Sequence, residues 1–259
     1  VLHSFVSGSA TTLRTWAAGL DFDRDDTTFM NFLASHDGIG LRPVEGLLGP
    51  DDIAALGRTC LAAGGVVNNR ALPDGGEAPY ELTGTWYAHL AAGHDGDAAI
   101  DRHVASHAIA LALRGVPLLY VHSLFASAND TKTAARSGNG RDLNRARFDA
   151  AQLRTVLQDS SSPATRTWSR LAAMLRFRAS SPAFAPSALQ EILEAPDELF
   201  VVRRRARSGE QALVAVNVSS TAAVVRMPTG TWVAPDATGN AGGTAVPIPA
   251  WSSRWWRSG

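Results

Sequence analysis

Phe29-Met30-Asn31-Phe32-Leu33-Ala34-Ser35-His36-Asp37-Gly38 is an apolar run that ends abruptly in an imidazole, a carboxylate and a glycine. From Thr27 to Ser35, Phe29, Asn31 and Leu33 alternate with Met30, Phe32 and Ala34. Both sets are almost wholly apolar, the pattern of a strand covered on two faces in a parallel sheet. Packing never requires a charge at the carboxyl end of such a strand, so Asp37 reads as chemistry. Val116-Pro117-Leu118-Leu119-Tyr120-Val121-His122 reads as a second buried strand, with Pro117 tolerable near its start and polar residues again crowding its exit.

The intervening sequence alternates helical spacing with loop chemistry. Leu13, Trp16, Ala17 and Leu20 share one face of a helix over Ala10–Leu20, and Asp21–Asp26 form an acidic, turn-rich connection. Pro50-Asp51-Asp52 starts a helix that Gly64-Gly65 stops, and Val66–Ala78, with Asn68, Asn69, Pro73, Gly75 and Gly76, reads as a long loop. Helical segments follow at Trp86–Leu90 and Ala98–Leu113, and another is opened by Pro163 and closed by Ser181-Pro182. Ser127–Asp149 is polar and too long for an idle connector, so it reads as a binding loop. After Pro196 the texture becomes β-like, with runs at Leu199–Arg203, Ala212–Val218, Ala222–Arg226 and Val246–Trp256. The expected fold class is therefore α/β. Residues 1–182 read as the C-terminal part of a (β/α)8 TIM barrel, its last strands with their helices, and 195–259 as a small all-β domain. A whole barrel needs about 250 residues by itself, so the barrel is expected to be partial.

Composition narrows the partners. The 259 residues are 45% hydrophobic, and 24 basic and 24 acidic side chains cancel, which points away from nucleic acid and membrane surfaces and toward a small ligand. The single cysteine, Cys60, excludes an intrachain disulfide, reads as a packed helix residue and fits a reducing compartment, hence a cytoplasmic location. Oligomeric state is not encoded at this level; a homodimer is compatible with it.

Three motifs together resemble the sucrose phosphorylase-like branch of the α-amylase superfamily. Phe32-Leu33-Ala34-Ser35-His36-Asp37-Gly38-Ile39-Gly40 is similar to its seventh-strand motif. Gly115-Val116-Pro117-Leu118-Leu119-Tyr120 is similar to its eighth strand, and Asn139-Gly140-Arg141-Asp142-Leu143-Asn144-Arg145 to the loop that follows. The resemblance implies a retaining glycoside phosphorylase, a glycosyltransferase that cleaves an α-glucoside such as sucrose, sucrose 6′-phosphate or glucosylglycerate with inorganic phosphate. The product would be α-glucose 1-phosphate, with no metal or organic cofactor required. It further implies that Asp37 is the transition-state stabiliser and that His36 donates to the same sugar ring. Arg141 would help to bind phosphate through its charged fork. Asn144 and Arg145 would orient the loop or line the acceptor side, although a surface ion pair is an equal alternative for Arg145. Arg42, just beyond the His-Asp-Gly turn, would reach the ring or a phosphate. Pro79-Tyr80-Glu81-Leu82 would occupy the acceptor-site loop; Glu81 stands where enzymes of unmodified sucrose carry glutamine, and Thr83 where the Tyr-Glu-Leu relatives carry asparagine. The nucleophile and the acid/base carboxylate come from strands four and five in this family, so this chain alone would be inactive. It would also expose the edge of strand seven and fold poorly by itself.

Other readings compete. A partial barrel kept for sugar binding, or an α-glucosidase or amylase-type hydrolase of the same superfamily, is the alternative function, while a His-Asp metallophosphohydrolase conflicts with the strand before His36. His103 and His107 have the spacing of a metal pair without the accompanying glutamate and read as structural. His122 is a weak candidate and His94 a solvated turn residue. Trp251, Trp255 and Trp256 read as anchors of the β domain rather than as a sugar-stacking surface.

Overall fold

The structure, a computed structural model, describes residues 1–20, 26–73, 75–235 and 241–259. The acidic connection at Asp21–Asp26 falls almost entirely outside them. Two short helices open the chain, α1 (Leu2–Ser7) and α2 (Thr11–Ala18), and are followed by strands β1 (Met30–Asn31) and β2 (Ile39–Gly40). Helix α3 (Pro50–Ala62) starts on Pro50, and the Asp52 carboxylate accepts from the Gly49 amide at 3.2 Å and pairs with His3 at 3.1 Å, tying α1 to α3. In α2, Leu13 and Ala17 are buried as the spacing predicts, but Trp16 is 39% exposed.

Val66–Ala78 is not a loop. It supplies β3 (Val66–Ala71) and, after a turn that includes Gly75 at φ +83°, the start of β4 (Glu77–Thr83). These pair antiparallel, and β2 adds to the other edge of β4. The two asparagines that suggest a loop instead place polar side chains on a hairpin, and Asn68 sits opposite Glu81.

Helix α4 (Trp86–Ala91) leads into α5 (Gly96–Ala112), whose Arg102–Ala112 stretch is buried throughout. Such an all-round buried helix belongs at the centre of the molecule. It packs against α4, against the helix opened by Pro163 and against the β-rich part. His103 and His107 are buried here and serve packing, with His103 donating to Ser123 O and His107 to the His103 carbonyl, each at 2.8 Å. Among the described residues no group of three or more His, Cys, Asp or Glu side chains is placed to hold a metal ion. His94 is not free in solvent; its ring meets Trp251 edge-on at 4.9 Å.

The parallel strand pair is much shorter than the sequence suggests. Only Met30 and Asn31 of Thr27–Ser35 form β1, and only Val116 and Pro117 form β5 (Val116–Pro117), in parallel register Met30↔Val116. Helix α6 (Val121–Leu124) takes up residues expected to continue the second strand. The strands are not covered on two faces either, since Met30 is 66% exposed, Phe32 55% and Leu118 45%. A barrel strand acquires its regular pairing and burial from neighbours on both sides, and here each of the two has one partner. Gly115, at φ +127°, lets the chain enter β5, because a Cβ there would lie 2.6 Å from the Phe29 carbonyl.

The polar stretch Ser127–Asp149 carries α7 (Thr131–Ser137) and a 3₁₀ turn at Gly140–Asn144 rather than open loop. Helix α8 (Ala150–Gln158) precedes α9 (Pro163–Ala179), which starts on Pro163 with the Ser162 hydroxyl accepting from the Thr165 amide at 3.1 Å. The β-rich part contains β6 (Leu189–Ile192), β7 (Leu199–Arg205), β8 (Gln211–Asn217), β9 (Ala223–Arg226), β10 (Trp232–Val233), β11 (Ala245–Ile248) and β12 (Ser253–Ser258). Its main antiparallel sheet has the order β10-β12-β8-β7-β6, with β9 and β11 forming a separate pair. The sheet therefore begins at Leu189, before residue 195, and the single run read over Val246–Trp256 is two strands in different sheets. Trp255 packs edge-on against Phe177 of α9 at 5.4 Å and beside Phe184 at 5.6 Å, the anchoring role expected of it. Trp256 is buried within the β-rich core. Among the described residues no helix is long and apolar enough to cross a membrane.

The fully buried Arg204 of β7 joins the two parts. Its guanidinium donates to the carbonyls of Ala112 at 3.1 Å, Leu189 at 3.2 Å and Ala185 at 3.2 Å, and burial, followed by the neighbouring Arg178 and Arg114, pushes it down to about 9. Arg204→Ala strands these buried acceptors and should lower unfolding stability by about 3–5 kcal/mol in a urea titration. Arg204→Lys should recover only part of the loss, since an ammonium lacks the planar fork.

Burial also pushes the His107 imidazole down from 6.5 to about 4, partly offset by its hydrogen bond to His103, and holds His103 well below its usual range. Between pH 6.5 and 4 the unfolded chain binds a proton that folded His107 refuses, so stability falls as pH falls through that window. Over this range His107 alone should cost about 3 kcal/mol. In His107→Leu, unfolding measured across the window should show a pH slope smaller by about one proton; an unchanged slope contradicts the buried neutral state.

Candidate functional site

Three separate segments meet around Asp37: the Ser35–Gly38 turn after β1, the 3₁₀ turn at Gly140–Asn144 with Arg145, and β4 with Glu81. The turn is gripped through its main chain. Asn144, 2% exposed, donates from one amide to Asp37 O at 2.9 Å and Ser35 O at 3.2 Å. Arg145 donates from Nε to His36 O at 2.8 Å, and the Asp37 amide donates to the Ser35 hydroxyl at 3.1 Å. Tyr120, just past β5, donates its phenol to the Asn144 carbonyl at 2.8 Å and so fixes the residue that does the gripping. Saturating the backbone in this way fixes the turn while leaving the carboxylate outside it.

The Asp37 carboxylate is 45% exposed and flanked by two guanidinium groups and an imidazole. Arg145 Nη2 stands 3.1 Å and Arg141 Nη1 3.6 Å from its Oδ1, and His36 Nε2 3.5 Å from its Oδ2. Arg141 also reaches Glu81 Oε2 at 3.5 Å. Glu81, with its side chain 11% exposed, is the buried acid of the group. Its Oε1 accepts from Asn68 at 2.9 Å and from the Thr83 hydroxyl at 3.2 Å, while the same Asn68 amide also donates to Thr83 at 2.8 Å. Gly38 leaves room for Glu81, because a Cβ there would fall 2.5 Å from Glu81 Cγ and from the Leu82 carbonyl.

Of the residues singled out from sequence, His36, Asp37, Glu81, Arg141, Asn144 and Arg145 therefore come together. Tyr80 is the strand neighbour of Glu81 on β4, so its side chain leaves the opposite face. Arg42 is exposed at the start of the 3₁₀ turn Arg42–Val44 and, among the described residues, makes no hydrogen bond or ion pair with this cluster. His122 is buried and stacks on Phe148 at 4.8 Å, which makes it a packing residue. Sequence reasoning missed Asn68, Thr83 and Tyr120 as partners of the cluster. Reading Val66–Ala71 and Glu77–Thr83 as a hairpin would have put Asn68 opposite Glu81.

The arrangement presents a carboxylate and two guanidinium groups on one open face. It suits a ligand with several hydroxyls and an anionic portion, the hydroxyls donating to the acids and the anion taking the Arg fork. No family model matches the chain. Over 241 residues it is 42% identical to a glucosylglycerate phosphorylase of Allomeiothermus silvanus, covering 90% of this chain and 43% of that protein. Over 221 residues it is 34% identical to a glucosylglycerate phosphorylase of Spirochaeta thermophila, covering 85% and 38%. Both of these relatives are glycoside phosphorylases, the kind of enzyme that the three sequence motifs resemble. The likeness extends to the fold: the crystal structure of sucrose 6F-phosphate phosphorylase from Thermoanaerobacter thermosaccharolyticum matches 84% of this chain and 41% of its own, with a TM-score of 0.70 at 19% identity. The chain spans about two fifths of the length of these phosphorylase relatives. In that setting β1 and β5 are adjacent strands of a partial barrel, and the cluster lies just beyond their carboxyl ends, where barrel enzymes build their sites.

Asn144→Ala removes a buried donor from two carbonyls at once. It should lower stability by about 1–3 kcal/mol, and amide exchange should quicken across Ser35–Gly38. Arg141→Ala removes a half-exposed guanidinium held by contacts of 3.5 and 3.6 Å and should change stability by less than about 1 kcal/mol. Equal effects from the two would mean that Asn144 does not hold the turn.

Proposed function

We propose that this chain is part of a longer retaining glycoside phosphorylase, with residues 1–182 in its catalytic portion and 189–259 in a supporting β domain. Its substrates are an α-glucoside and inorganic phosphate, and the glucoside favoured is glucosylglycerate. The observation that carries the reading is the convergence of Asp37, Arg141, Arg145 and Glu81 beyond the paired strands β1 and β5, in a chain that is 42% identical to a glucosylglycerate phosphorylase. Glu81 on β4 stands where, by the resemblance, enzymes of unmodified sucrose carry glutamine, which speaks against plain sucrose; the 42% and 34% identity to glucosylglycerate phosphorylases favours glucosylglycerate over sucrose 6′-phosphate.

Transfer with retention proceeds in two displacements through an oxocarbenium-like transition state. A carboxylate nucleophile displaces glycerate from the anomeric carbon while a carboxylic acid protonates the departing oxygen. A phosphate oxygen then attacks the glucosyl-enzyme and regenerates the carboxylate. Those two acids belong to the part of the relatives outside this chain. Asp37 accepts hydrogen bonds from ring hydroxyls, which strengthen as positive charge develops at the anomeric carbon. His36, on the same turn, donates to that ring. Arg141 offers its fork to a phosphate oxygen next to the site of transfer, and Arg145 and Asn144 hold the Asp37 turn against reorganisation.

In the full-length enzyme, release of α-glucose 1-phosphate from glucosylglycerate, sucrose and sucrose 6′-phosphate is measured with and without inorganic phosphate. Glucosylglycerate should be used best, and only with phosphate. Asp37→Asn should lower kcat by at least about a hundredfold with little change in stability, and Arg141→Ala should chiefly raise the KM for phosphate. Turnover indifferent to phosphate, with Arg141→Ala silent, would replace phosphorolysis with hydrolysis.

A further inference from the structure

Arg141 is shared between two acids and fully engaged by neither. It stands 3.6 Å from Asp37 Oδ1 and 3.5 Å from Glu81 Oε2, both longer than the usual charge-assisted hydrogen bond. Glu81 is by contrast firmly held, for its Oε1 takes two donors and its side chain is nearly buried. Those donors, Asn68 and Thr83, are hydrogen-bonded to one another and lie on the paired strands β3 and β4, so the Glu81 carboxylate has little freedom to turn toward Arg141 or away from it. Gly38 completes the seat by admitting the Glu81 side chain past the catalytic turn.

We infer that Asn68 and Thr83 are positioning residues that use Glu81 to hold Arg141 off Asp37. A guanidinium without this counterweight has a bidentate partner within reach, since Asp37 is half exposed and, among the described residues, its Oδ2 has His36 at 3.5 Å as its ion-pair contact. Closing the fork would fill both carboxylate oxygens and leave fewer lone pairs for ring hydroxyls. The Asn68–Thr83–Glu81 relay keeps Asp37 open to the glucosyl ring and Arg141 open to an anion. The inference rests on the phosphorylase reading and deepens it, because it assigns Glu81 a task toward Arg141 beyond any contact with the leaving group.

The two tasks differ kinetically. A relay that protects Asp37 acts on the glucosyl transition state, common to every donor and acceptor. Losing it should lower kcat/KM alike for glucosylglycerate, sucrose 6′-phosphate and α-glucose 1-phosphate, with the KM for glycerate as acceptor unchanged. Full-length Asn68→Ala and Thr83→Val are measured against all three donors, and about a tenfold fall is expected for each, the equivalent of one hydrogen bond's net contribution. Thr83→Ser keeps the hydroxyl and should restore what Thr83→Val loses. A crystal structure of Asn68→Ala should show Arg141 drawn onto Asp37. A rise confined to the glycerate KM, unchanged kinetics, or an Arg141 that stays in place overturns the inference. Wild-type enzyme that cleaves none of the glucosides with phosphate instead overturns the functional reading, while the position of Arg141 in the Asn68→Ala crystal still decides the relay.

Discussion

The exit of helix α5, Ala112-Leu113-Arg114-Gly115, is the constraint on which the rest of the structure hangs. A helix end leaves carbonyls without partners, and burying them is costly unless side chains arrive to satisfy them. Here those side chains come from elements far apart in sequence. Arg204 of β7 donates to Ala112 O, Asn31 of β1 to Arg114 O at 2.9 Å, and Arg178 of α9 to Gly115 O at 2.6 Å. Gln190 of β6 accepts from the Arg114 amide at 2.7 Å and donates to Ala17 O of α2 at 3.3 Å. One short backbone segment thus fixes the first strand, the last long helix and the β-rich part relative to one another. Because residues 112–115 are buried, their carbonyls cannot regain equivalent bonds from water without opening the core.

That segment also aims the site. Gly115 turns the chain into β5, and three residues beyond that strand Tyr120 donates to the carbonyl of Asn144, which grips the turn carrying Asp37. The path from core to carboxylate runs almost wholly through main-chain acceptors, whose positions are set by the fold rather than by flexible side chains. A carboxylate on such a turn can stay half exposed without wandering. The charge contacts around it are looser, at 3.1 Å from Arg145 and 3.6 Å from Arg141 to Asp37, among side chains that remain accessible. Rigid backbone with adaptable charge is the division of labour that ligand binding needs.

Much of the site was legible because its residues sit in compact local motifs. His36-Asp37-Gly38 and Arg141 to Arg145 are each contiguous, and a charge after an apolar run carries its own physical signal. The strands before them were legible in position and illegible in length: an apolar pattern reports what a strand is built to meet, and Met30 and Phe32 report covering faces that are open here. Asn68 was hidden for a different reason. Its meaning comes from a cross-strand neighbour thirteen residues away, and two consecutive asparagines before a proline and two glycines look the same in a loop as in a hairpin with a polar face. Arg204 was unreadable as a core residue, because an arginine in the run Arg203-Arg204-Arg205 looks like solvated charge until the carbonyls of another element surround it.

The charge arithmetic of the rim explains why an acid as buried as Glu81 is useful there. Asp37 and Glu81 face Arg141 and Arg145, so the cluster is close to neutral before any ligand arrives. A pair of arginines beside a lone carboxylate would attract anions strongly but would also clamp that carboxylate; a pair of acids beside one arginine would repel them. With two of each, an incoming anion can take up Arg141 by replacing contacts that are already long and partly screened by water, which costs little. Asp37 keeps Arg145, whose Nε is committed to the His36 carbonyl and cannot follow the anion. The two guanidinium groups are therefore unequal, one part of the frame and one free to be exchanged, and the difference is set by which of them bonds to backbone.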